Sequence, residues 1–238
     1  MVKSKSSIDS EINKFSNIAE DWWKNNGKFK VLHNFNKVRV AYIKNILDKH
    51  NLSNIEILDI GCGGGILSES FSKLDYKLIG IDASLESILA AKKHAQEGSL
   101  DIEYINILPE DYLEKNPQKK FKVIFAMEII EHVSSPENFI KTISQLLEKD
   151  GILFFSTINR NLKSLVLAKY TAEYILNWIP KQTHDYNKFI KPSELNHILS
   201  KCSLELHDIK GIKLHPISRD WNLSLKPDVN YIGYAKKI

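Results

Sequence analysis

The sequence has little cysteine, no concentrated charge and no long apolar run. Its two cysteines, Cys62 and Cys202, are too few for a disulfide framework and lack the spacing of a zinc site. The net charge is +4, and no run of five or more like charges indicates a nucleic-acid footprint. Residues 1–7 lack the apolar core of a secretory signal, and no segment reaches the roughly 20 apolar residues of a membrane span. We therefore expect a soluble or membrane-peripheral protein of a reducing compartment, without a nucleic-acid partner.

Beyond residue 50, apolar strands alternate with amphipathic helices, which is typical of an α/β fold with parallel strands joined by right-handed crossovers. Residues 8–50 have apolar residues at helical spacing and predict an N-terminal helical cover. The final two strands have only residues 211–228 between them, which predicts an antiparallel C-terminal hairpin at the sheet edge. We expect one domain, 1–238, since there is no repeat or low-complexity segment. The predicted strands are 56–60, 77–81, 102–106, 121–126, 151–158, 203–210 and 229–236, and the predicted helices lie near 65–74, 84–97, 136–148 and 192–201.

A glycine cluster follows the first predicted strand directly. Gly61 and Gly63 allow a ligand to approach the backbone without a Cβ in the way. A strand, a glycine turn, a helix and an acid after the next strand form the nucleoside-binding arrangement of an open parallel sheet. The dinucleotide pattern G-x-G-x-x-G fails, because Ile66 occupies its sixth position. The cluster therefore predicts a nucleoside cofactor other than a dinucleotide.

Two acidic residues narrow the choice of cofactor. Asp59 lies two residues before the first glycine, where a carboxylate facing the ligand favours a cationic sulfonium over a pyrophosphate. Asp82 closes the second predicted strand, where it can accept hydrogen bonds from both ribose hydroxyls. These charges predict S-adenosylmethionine. The alternatives are a nicotinamide-dependent oxidoreductase, a non-catalytic binding protein, and a turn that only reverses the chain with both acids as caps.

The fourth predicted strand runs into Met127-Glu-Ile-Ile-Glu-His-Val133, at the sheet edge where ligands of open α/β sheets bind. If a helix or turn begins here, Glu128, Glu131 and His132 share one face. This set suits a divalent cation, and it also suits proton abstraction from a hydroxyl with His132 as the base. A structural glutamate in an enzyme without metal is the alternative. Met127 is expected to pack against the adenine, with residues 106–108, including Ile107 and Leu108, as the opposite wall.

Taken together, several motifs resemble the ubiquinone-biosynthesis O-methyltransferases of the class I methyltransferase superfamily. The resemblance implies a seven-stranded, mostly parallel sheet with helices on both faces. It implies methyl transfer from S-adenosylmethionine to phenolic oxygens of polyprenylated rings at two stages, the second giving ubiquinol from its demethyl precursor. The motifs that carry it are Trp22-Trp23, Phe29-Lys-Val-Leu-His33, Arg39, the segment Asp59–Leu67, Met127-Glu-Ile-Ile-Glu-His-Val133 and Thr183-His-Asp-Tyr-Asn-Lys-Phe-Ile-Lys-Pro192.

The resemblance also implies roles for individual residues. Cofactor contacts are implied for Arg39, Gly61, Asp82 and Met127, and divalent-metal contacts, with Mg²⁺ as the expected ion, for Glu128, Glu131 and His132. Arg39 suits the methionine carboxylate, because its planar guanidinium pairs with a planar acid. Without a metal, His132 or His184 would take the phenolic proton.

Residues 159–190 form a longer connection than a minimal fold needs. Within it, residues 162–180 combine Leu, Ile, Tyr and Trp side chains with lysines, which is typical of a helix lying in the membrane interface. A lid or a subunit contact is the alternative. Because the implied substrate carries an isoprenoid tail, we expect a cytoplasmic protein held peripherally at the inner face of the membrane. Association with other enzymes of ubiquinone synthesis is also implied.

Overall fold

A twisted sheet organises the chain, and the computed structural model describes residues 9–24, 27–164, 186–215 and 220–238. Within these ranges the sheet has eight strands: β1 (Glu56–Ile60), β2 (Lys77–Asp82), β3 (Ile102–Asn106), β4 (Phe121–Met127), β5 (Leu147–Ile158), β6 (Leu204–Leu214), β7 (Trp221–Ser224) and β8 (Asn230–Lys237). Their order in the sheet is β3-β2-β1-β4-β5-β8-β6-β7. The first five in this order pair in parallel, and the chain order reverses direction between β1 and β4, which is where ligands of such sheets bind.

The antiparallel end of the sheet confirms one prediction and corrects another. β8 pairs antiparallel with both β5 and β6, as expected for the C-terminal strands. The expected count of seven strands was wrong, because β7 lies within the segment 211–228 that was predicted as a loop. β6 extends to Leu214, and the four residues Gly211–Leu214 at its end pair with β7. The longer β6 leaves backbone N–H and C=O groups at the edge, and β7 satisfies them.

Helices cover both faces of the sheet, as predicted. The helices within the described ranges are α1 (Asp9–Ser16), α2 (Lys30–Lys49), α3 (Ile66–Ser72), α4 (Leu85–Glu97), α5 (Pro109–Lys115), α6 (Pro136–Leu146) and α7 (Pro192–Lys201). The predicted helices at 65–74, 84–97, 136–148 and 192–201 are observed close to those bounds, whereas α5 was not predicted. One apolar layer contains Phe139, Ile143 and Leu199 from α6 and α7, and the other contains Ile43, Leu47 and Phe71 from α2 and α3.

Local sequence explains where several of these helices begin. Ser84 accepts a hydrogen bond from the backbone N–H of Ser87 and caps α4. Pro109, Pro136 and Pro192 each lie in the first turn of a helix, where the missing N–H costs no hydrogen bond. No helix within the described ranges combines the length and apolar content that a bilayer span requires.

Candidate functional site

The turn between β1 and α3 has a backbone that requires glycine. Gly61, Gly63 and Gly65 have φ values of 72°, 53° and 83°, in the left-handed region that other residues rarely adopt. The turn opens at the carboxyl edge of β1, next to the carboxyl end of β4. The glycine pattern noted in the sequence therefore reflects a backbone requirement at the edge where ligands bind.

The N-terminal cover packs directly on this turn. A Cβ built on Gly63 or Gly64 would lie 2.5 Å or 2.4 Å from the indole ring of Trp22. Trp22 is buried and donates from Nε1 to Ser87 Oγ at 3.2 Å. Trp23 donates from Nε1 to the carbonyl of Gly64 at 2.8 Å. The two tryptophans therefore hold the cover against the glycine turn and against the start of α4.

Asp82 links the ends of β1 and β2. Its carboxylate accepts hydrogen bonds from the N–H of Gly63 at 2.9 Å and from the N–H of Ser84 at 2.8 Å. Burial raises the pKa of Asp82 above its ordinary value, and these two backbone donors oppose that shift by stabilising the charged form. An anion is thus held at the position where the sequence predicted a ribose acceptor, and the ribose contact itself stays a prediction.

Asp59 lies beneath the turn and is only 2% exposed. Its carboxyl accepts a hydrogen bond from Ser68 Oγ at 2.6 Å. Burial raises its pKa to about 6, although the Ser68 hydrogen bond and the charge of Arg39 oppose the shift. The structure thus gives Asp59 a protein partner from α3, and its predicted contact with a cofactor stays a prediction.

The residues predicted to flank an adenine lie near Asp82. Asn106 at the end of β3 donates to the carbonyls of Asp82 and Ala83. The N–H of Ile107 donates to the carbonyl of Asp82 at 3.0 Å, and Leu108 follows as the residue before α5. Both apolar side chains are half-buried. Met127 is buried at the end of β4, two strands away from β2 in the sheet order.

Arg39 of α2 pairs with Glu128, which follows β4. Arg39 is 5% exposed, and its Nη2 lies 3.1 Å from Glu128 Oε1, while its guanidinium lies 4.4 Å from the centre of the Phe35 ring. Glu128 has a φ of 51°, a strained backbone conformation for a non-glycine residue, and its N–H donates to the carbonyl of Ser156. Burial lowers the pKa of Arg39, and the nearby Glu128 charge opposes that shift.

The guanidinium of Arg39 has unused hydrogen-bonding capacity. Its Nε atom is buried and has no hydrogen-bond partner among the described residues, whereas Nη2 forms the ion pair with Glu128 Oε1. A buried donor without an acceptor is costly, so the Nε atom is suited to a ligand that brings an acceptor. A carboxylate is such an acceptor, which fits the role that the sequence implied for Arg39.

Glu131 and His132 lie in a short 3₁₀ turn, Ile130–His132, after β4. Glu131 is 2% exposed and accepts from Thr157 Oγ1 at 2.6 Å. Burial raises the pKa of Glu131 to about 7, with a further upward contribution from the charge of Glu128. The Nδ1 atom of His132 lies 3.0 Å from Glu11 Oε2 in α1.

The described arrangement does not fit the predicted magnesium site. Glu128 pairs with Arg39, Glu131 accepts from Thr157, and His132 is bound to Glu11. Within the described ranges no group of three metal-type side chains lies close enough to hold an ion. The prediction that Glu128, Glu131 and His132 share one helical face was wrong, because the positive φ of Glu128 and the tight turn after it direct these side chains to different partners.

One predicted site residue, His184, lies outside the described residues, as does most of the segment 162–180. Four residues that the sequence analysis did not single out contact the site: Glu11, Ser68, Thr157 and Lys188. Each forms a hydrogen bond with a side chain that is distant in the sequence or lies on another element. No spacing pattern in the local sequence predicts such contacts.

Comparison with known proteins decides the family. A family model described as "Methyltransferase domain" matches residues 36–209. A protein of Pelagibacter ubique (strain HTCC1062) named "Ubiquinone biosynthesis O-methyltransferase" is 49% identical, with 93% of this chain and 95% of the relative covered. The chain belongs to the ubiquinone biosynthesis O-methyltransferase family. A relative of the same name from Bartonella quintana (strain Toulouse) is 42% identical, with 100% of this chain and 99% of the relative covered.

Solved structures support the fold of this O-methyltransferase family member. A magnesium protoporphyrin IX methyltransferase from Synechocystis PCC 6803 with bound SAM has a TM-score of 0.67 at 15% identity. The alignment covers 99% of this chain and 100% of that structure. At this identity the likeness shows the class I methyltransferase fold alone. The resemblance drawn from the sequence motifs is thereby confirmed at the level of family and fold.

Proposed function

We propose that the chain transfers a methyl group from S-adenosylmethionine to phenolic hydroxyls of polyprenylated rings in ubiquinone synthesis, including the step from demethylubiquinol to ubiquinol. The observation that carries the proposal is the convergence of the glycine turn, Asp82 and Arg39, whose Nε atom has no partner among the described residues, around the carboxyl edge of β1 and β4. Near-full-length similarity to ubiquinone biosynthesis O-methyltransferases supports the choice of substrate.

The proposed cofactor contacts follow from the arrangement of the edge. Gly61 and Gly63 supply the left-handed backbone of the turn, and Asp82 accepts from the ribose while its carboxylate also holds the turn. Arg39 donates to the methionine carboxylate from its Nε atom, which has no acceptor within the described structure. Met127 and the pair Ile107–Leu108 enclose the adenine. These contacts align the sulfonium methyl, and alignment supplies much of the rate of a two-reactant displacement.

The cofactor supplies an electrophilic methyl group, and the protein must remove the phenolic proton. His132 takes this proton as the phenolic oxygen forms a bond to the methyl carbon. The carbon–sulfur bond breaks, and its electron pair stays on sulfur, so the charges balance. A phenol has a pKa near 10 and is mostly protonated at neutral pH. A positioned base that removes the proton therefore typically increases the reaction rate by about 10²- to 10⁴-fold.

The test is turnover of a short-chain demethylubiquinol analogue, with methylated product measured by mass spectrometry. We expect turnover by the wild type and a loss of at least about tenfold in His132→Gln. Methylation of unrelated phenols but not of this analogue would indicate another small-molecule methyltransferase. Calorimetry that detects NAD binding but no S-adenosylhomocysteine binding would indicate an oxidoreductase instead.

This reaction includes no metal step, because each of the three predicted metal ligands has a protein partner. A chelator tests the magnesium that the resemblance implied. We expect enzyme dialysed against EDTA to keep its turnover. A loss that added Mg²⁺ restores would show that Glu128, Glu131 and His132 exchange their present partners for the ion.

Membrane docking through residues 162–180 is a further part of the proposal. Leu162, at the described start of this segment, is 76% exposed, which supports an apolar surface there. Changing Leu165, Ile175 and Trp178 to Gln should abolish sedimentation with anionic liposomes and leave turnover of a water-soluble catechol unchanged. The matched control changes the exposed Leu85 and Leu89 of α4 to Gln. Wild-type protein that does not sediment would make the segment a lid or a subunit contact.

A further inference from the structure

Two side chains from outside the glycine turn fix the backbone of one glycine pair. Trp23 of the N-terminal cover donates from Nε1 to the carbonyl oxygen of Gly64 at 2.8 Å. Asp82 accepts from the N–H of the preceding residue, Gly63, at 2.9 Å. Glycine has the widest choice of backbone conformations of any residue, so a turn built from it needs such contacts to stay in one conformation.

The ring of Trp23 is itself located by two histidines. It stacks on the ring of His94 in the last turn of α4, with 3.4 Å between the ring centres and 3° between the planes. His33 of α2 packs against it edge-on, with 5.1 Å between the ring centres, and the Nε2 atom of His33 lies 2.7 Å from the carbonyl oxygen of Trp22. Contacts from α2 and α4 therefore fix the direction in which the N–H of Trp23 points.

A buried carboxylate of α3 holds His94. Glu69 is 1% exposed, and its Oε1 lies 2.7 Å from the Nδ1 atom of His94. Its other oxygen accepts from Lys73 Nζ at 3.4 Å. A carboxylate accepts hydrogen bonds, so Nδ1 is the donor in the contact with His94. Because a buried carboxylate is costly without such donors, Glu69 favours the ring position that supplies one.

These contacts form a closed path that begins and ends at the glycine turn. Trp23 bonds Gly64 and stacks on His94, and His94 is bound to Glu69. Glu69 lies in the first turn of α3, and its N–H donates to the carbonyl of Gly65 at 2.9 Å. A loop that is already held in its bound conformation loses less entropy when a ligand binds.

Other contacts already attach the cover to α4. Ser16 Oγ lies 2.9 Å from Ser84 Oγ, and Trp22 donates to Ser87 Oγ at 3.2 Å. Both contacts join side chains, whereas Trp23 bonds the backbone of the turn itself. An anchor for the cover does not require that contact, which points to a role in shaping the turn.

We infer that Trp23, His94 and Glu69 are positioning residues that hold the glycine turn in the conformation that binds S-adenosylmethionine. Trp23 fixes Gly64, and the other two residues fix Trp23. The inference rests on the proposed function, because it takes this turn as part of the cofactor site. All three residues act through the turn.

The first experiment uses Trp23→Phe, which keeps a ring that can stack on His94 and removes the Nε1 donor. We expect the Kd for S-adenosylhomocysteine, measured by calorimetry, to rise roughly 3- to 10-fold for the lost hydrogen bond. The KM for S-adenosylmethionine should rise by a similar factor, while kcat at saturating cofactor stays within about twofold, because the turn contributes equally to ground-state and transition-state binding. In the ligand-free variant, amide hydrogen exchange of residues 61–65 should be faster than in wild type.

Ser87→Ala is the matched control. It removes the acceptor of Trp22 Nε1, which lies 3.2 Å away, and so weakens another bond between the cover and α4 without changing a contact to the backbone of the turn. We expect its Kd for S-adenosylhomocysteine to stay within about twofold of wild type, with unchanged exchange at residues 61–65.

The second experiment tests whether His94 acts through Trp23. In His94→Gln the side chain can still donate to Glu69 but has no ring for Trp23 to stack on, and this position is 32% exposed, so the variant should fold. We expect a roughly 2- to 10-fold higher Kd for S-adenosylhomocysteine. In the Trp23→Phe background, His94→Gln should raise the Kd by less than about twofold further, because the donor that the stack orients is absent.

An unchanged Kd in Trp23→Phe, or a higher Kd without faster exchange at residues 61–65, would overturn the inference. An equal loss of affinity in Ser87→Ala would also overturn it, since Trp23 would then only anchor the cover, and so would losses that add fully in the double variant. If Trp23→Phe does not fold, the comparison of His94→Gln with Ser87→Ala decides. Wild-type protein that does not bind S-adenosylhomocysteine would instead refute the proposed function, so wild-type calorimetry distinguishes the two failures.

Discussion

Replacing Asp82 by Asn tests whether its carboxylate both holds the glycine turn and binds the cofactor. In the folded protein its two oxygens accept from the N–H groups of Gly63 and Ser84 at 2.9 Å and 2.8 Å. An Asn side chain has one oxygen and one NH₂ group, so one backbone donor then faces another donor. Losing a charge-assisted hydrogen bond costs about 1.5–3 kcal/mol, and we expect the free energy of unfolding to fall by that amount.

The same substitution should also weaken cofactor binding, and this loss is separate from the loss of stability. The carboxylate is the proposed acceptor for the ribose hydroxyls, and a further loss of about 1.5–3 kcal/mol corresponds to a roughly 10- to 150-fold higher Kd. Calorimetry with S-adenosylhomocysteine at pH 8 measures the Kd, and urea unfolding without ligand measures the stability. Asp101→Asn is the matched control, because Asp101 is exposed and lies next to the opposite end of β3.

The two measurements separate the two roles of Asp82. A folded Asp82→Asn variant with lower stability and an unchanged Kd would refute the ribose contact and leave Asp82 as a support of the turn. Unchanged stability would show that the two backbone hydrogen bonds contribute nothing net to folding. Only a decrease in both stability and affinity agrees with the reasoning.

Three other predictions concern the buried part of the site. Gly63→Ala should lower the free energy of unfolding by about 1–3 kcal/mol and weaken S-adenosylhomocysteine binding, because φ is 53° and a Cβ would lie 2.5 Å from the Trp22 indole ring. Thermal melts measure the stability, and calorimetry measures the binding. In the control Gly98→Ala, where the nearest atom to a Cβ lies at 3.5 Å, both stability and binding should be unchanged. Burial raises the pKa of Asp59 from 3.8 to about 6, so the unfolded chain loses this proton first as the pH rises. The free energy of unfolding should therefore fall between about pH 4 and pH 6, with at most about 3 kcal/mol of the decrease due to Asp59. In urea titrations across that range, Asp59→Asn should remove this share and leave the decrease due to Glu131, whose pKa burial raises to about 7. Thr157→Val should lower the free energy of unfolding by about 1–3 kcal/mol at pH 8, because the buried Glu131 loses its hydrogen-bond donor. An unchanged midpoint of urea unfolding would contradict this prediction.

Local sequence was sufficient to predict the glycine turn and the position of the acid that contacts it. The turn at Gly61 and Gly63 and the acid at Asp82 belong to a strand–turn–helix–strand unit, in which backbone conformation and short spacing determine where each residue lies. Helix starts at Pro136 and Pro192 were predictable for the same reason, since a capping residue and a proline act within one turn. The family was also evident from motifs, because they are contiguous in the chain.

Tertiary structure alone decided which partners the charged residues have. Glu128 and His132 are four residues apart, yet one pairs with Arg39 of α2 and the other with Glu11 of α1. A positive φ at Glu128 breaks the helical spacing on which the metal prediction depended. The edge strand β7 was missed similarly, because it forms only when β6 is long enough to pair with it. Spacing along the chain specifies neighbours within a turn or two, whereas contacts such as that between Glu11 and His132 join residues 121 positions apart and arise only from the packing of whole elements.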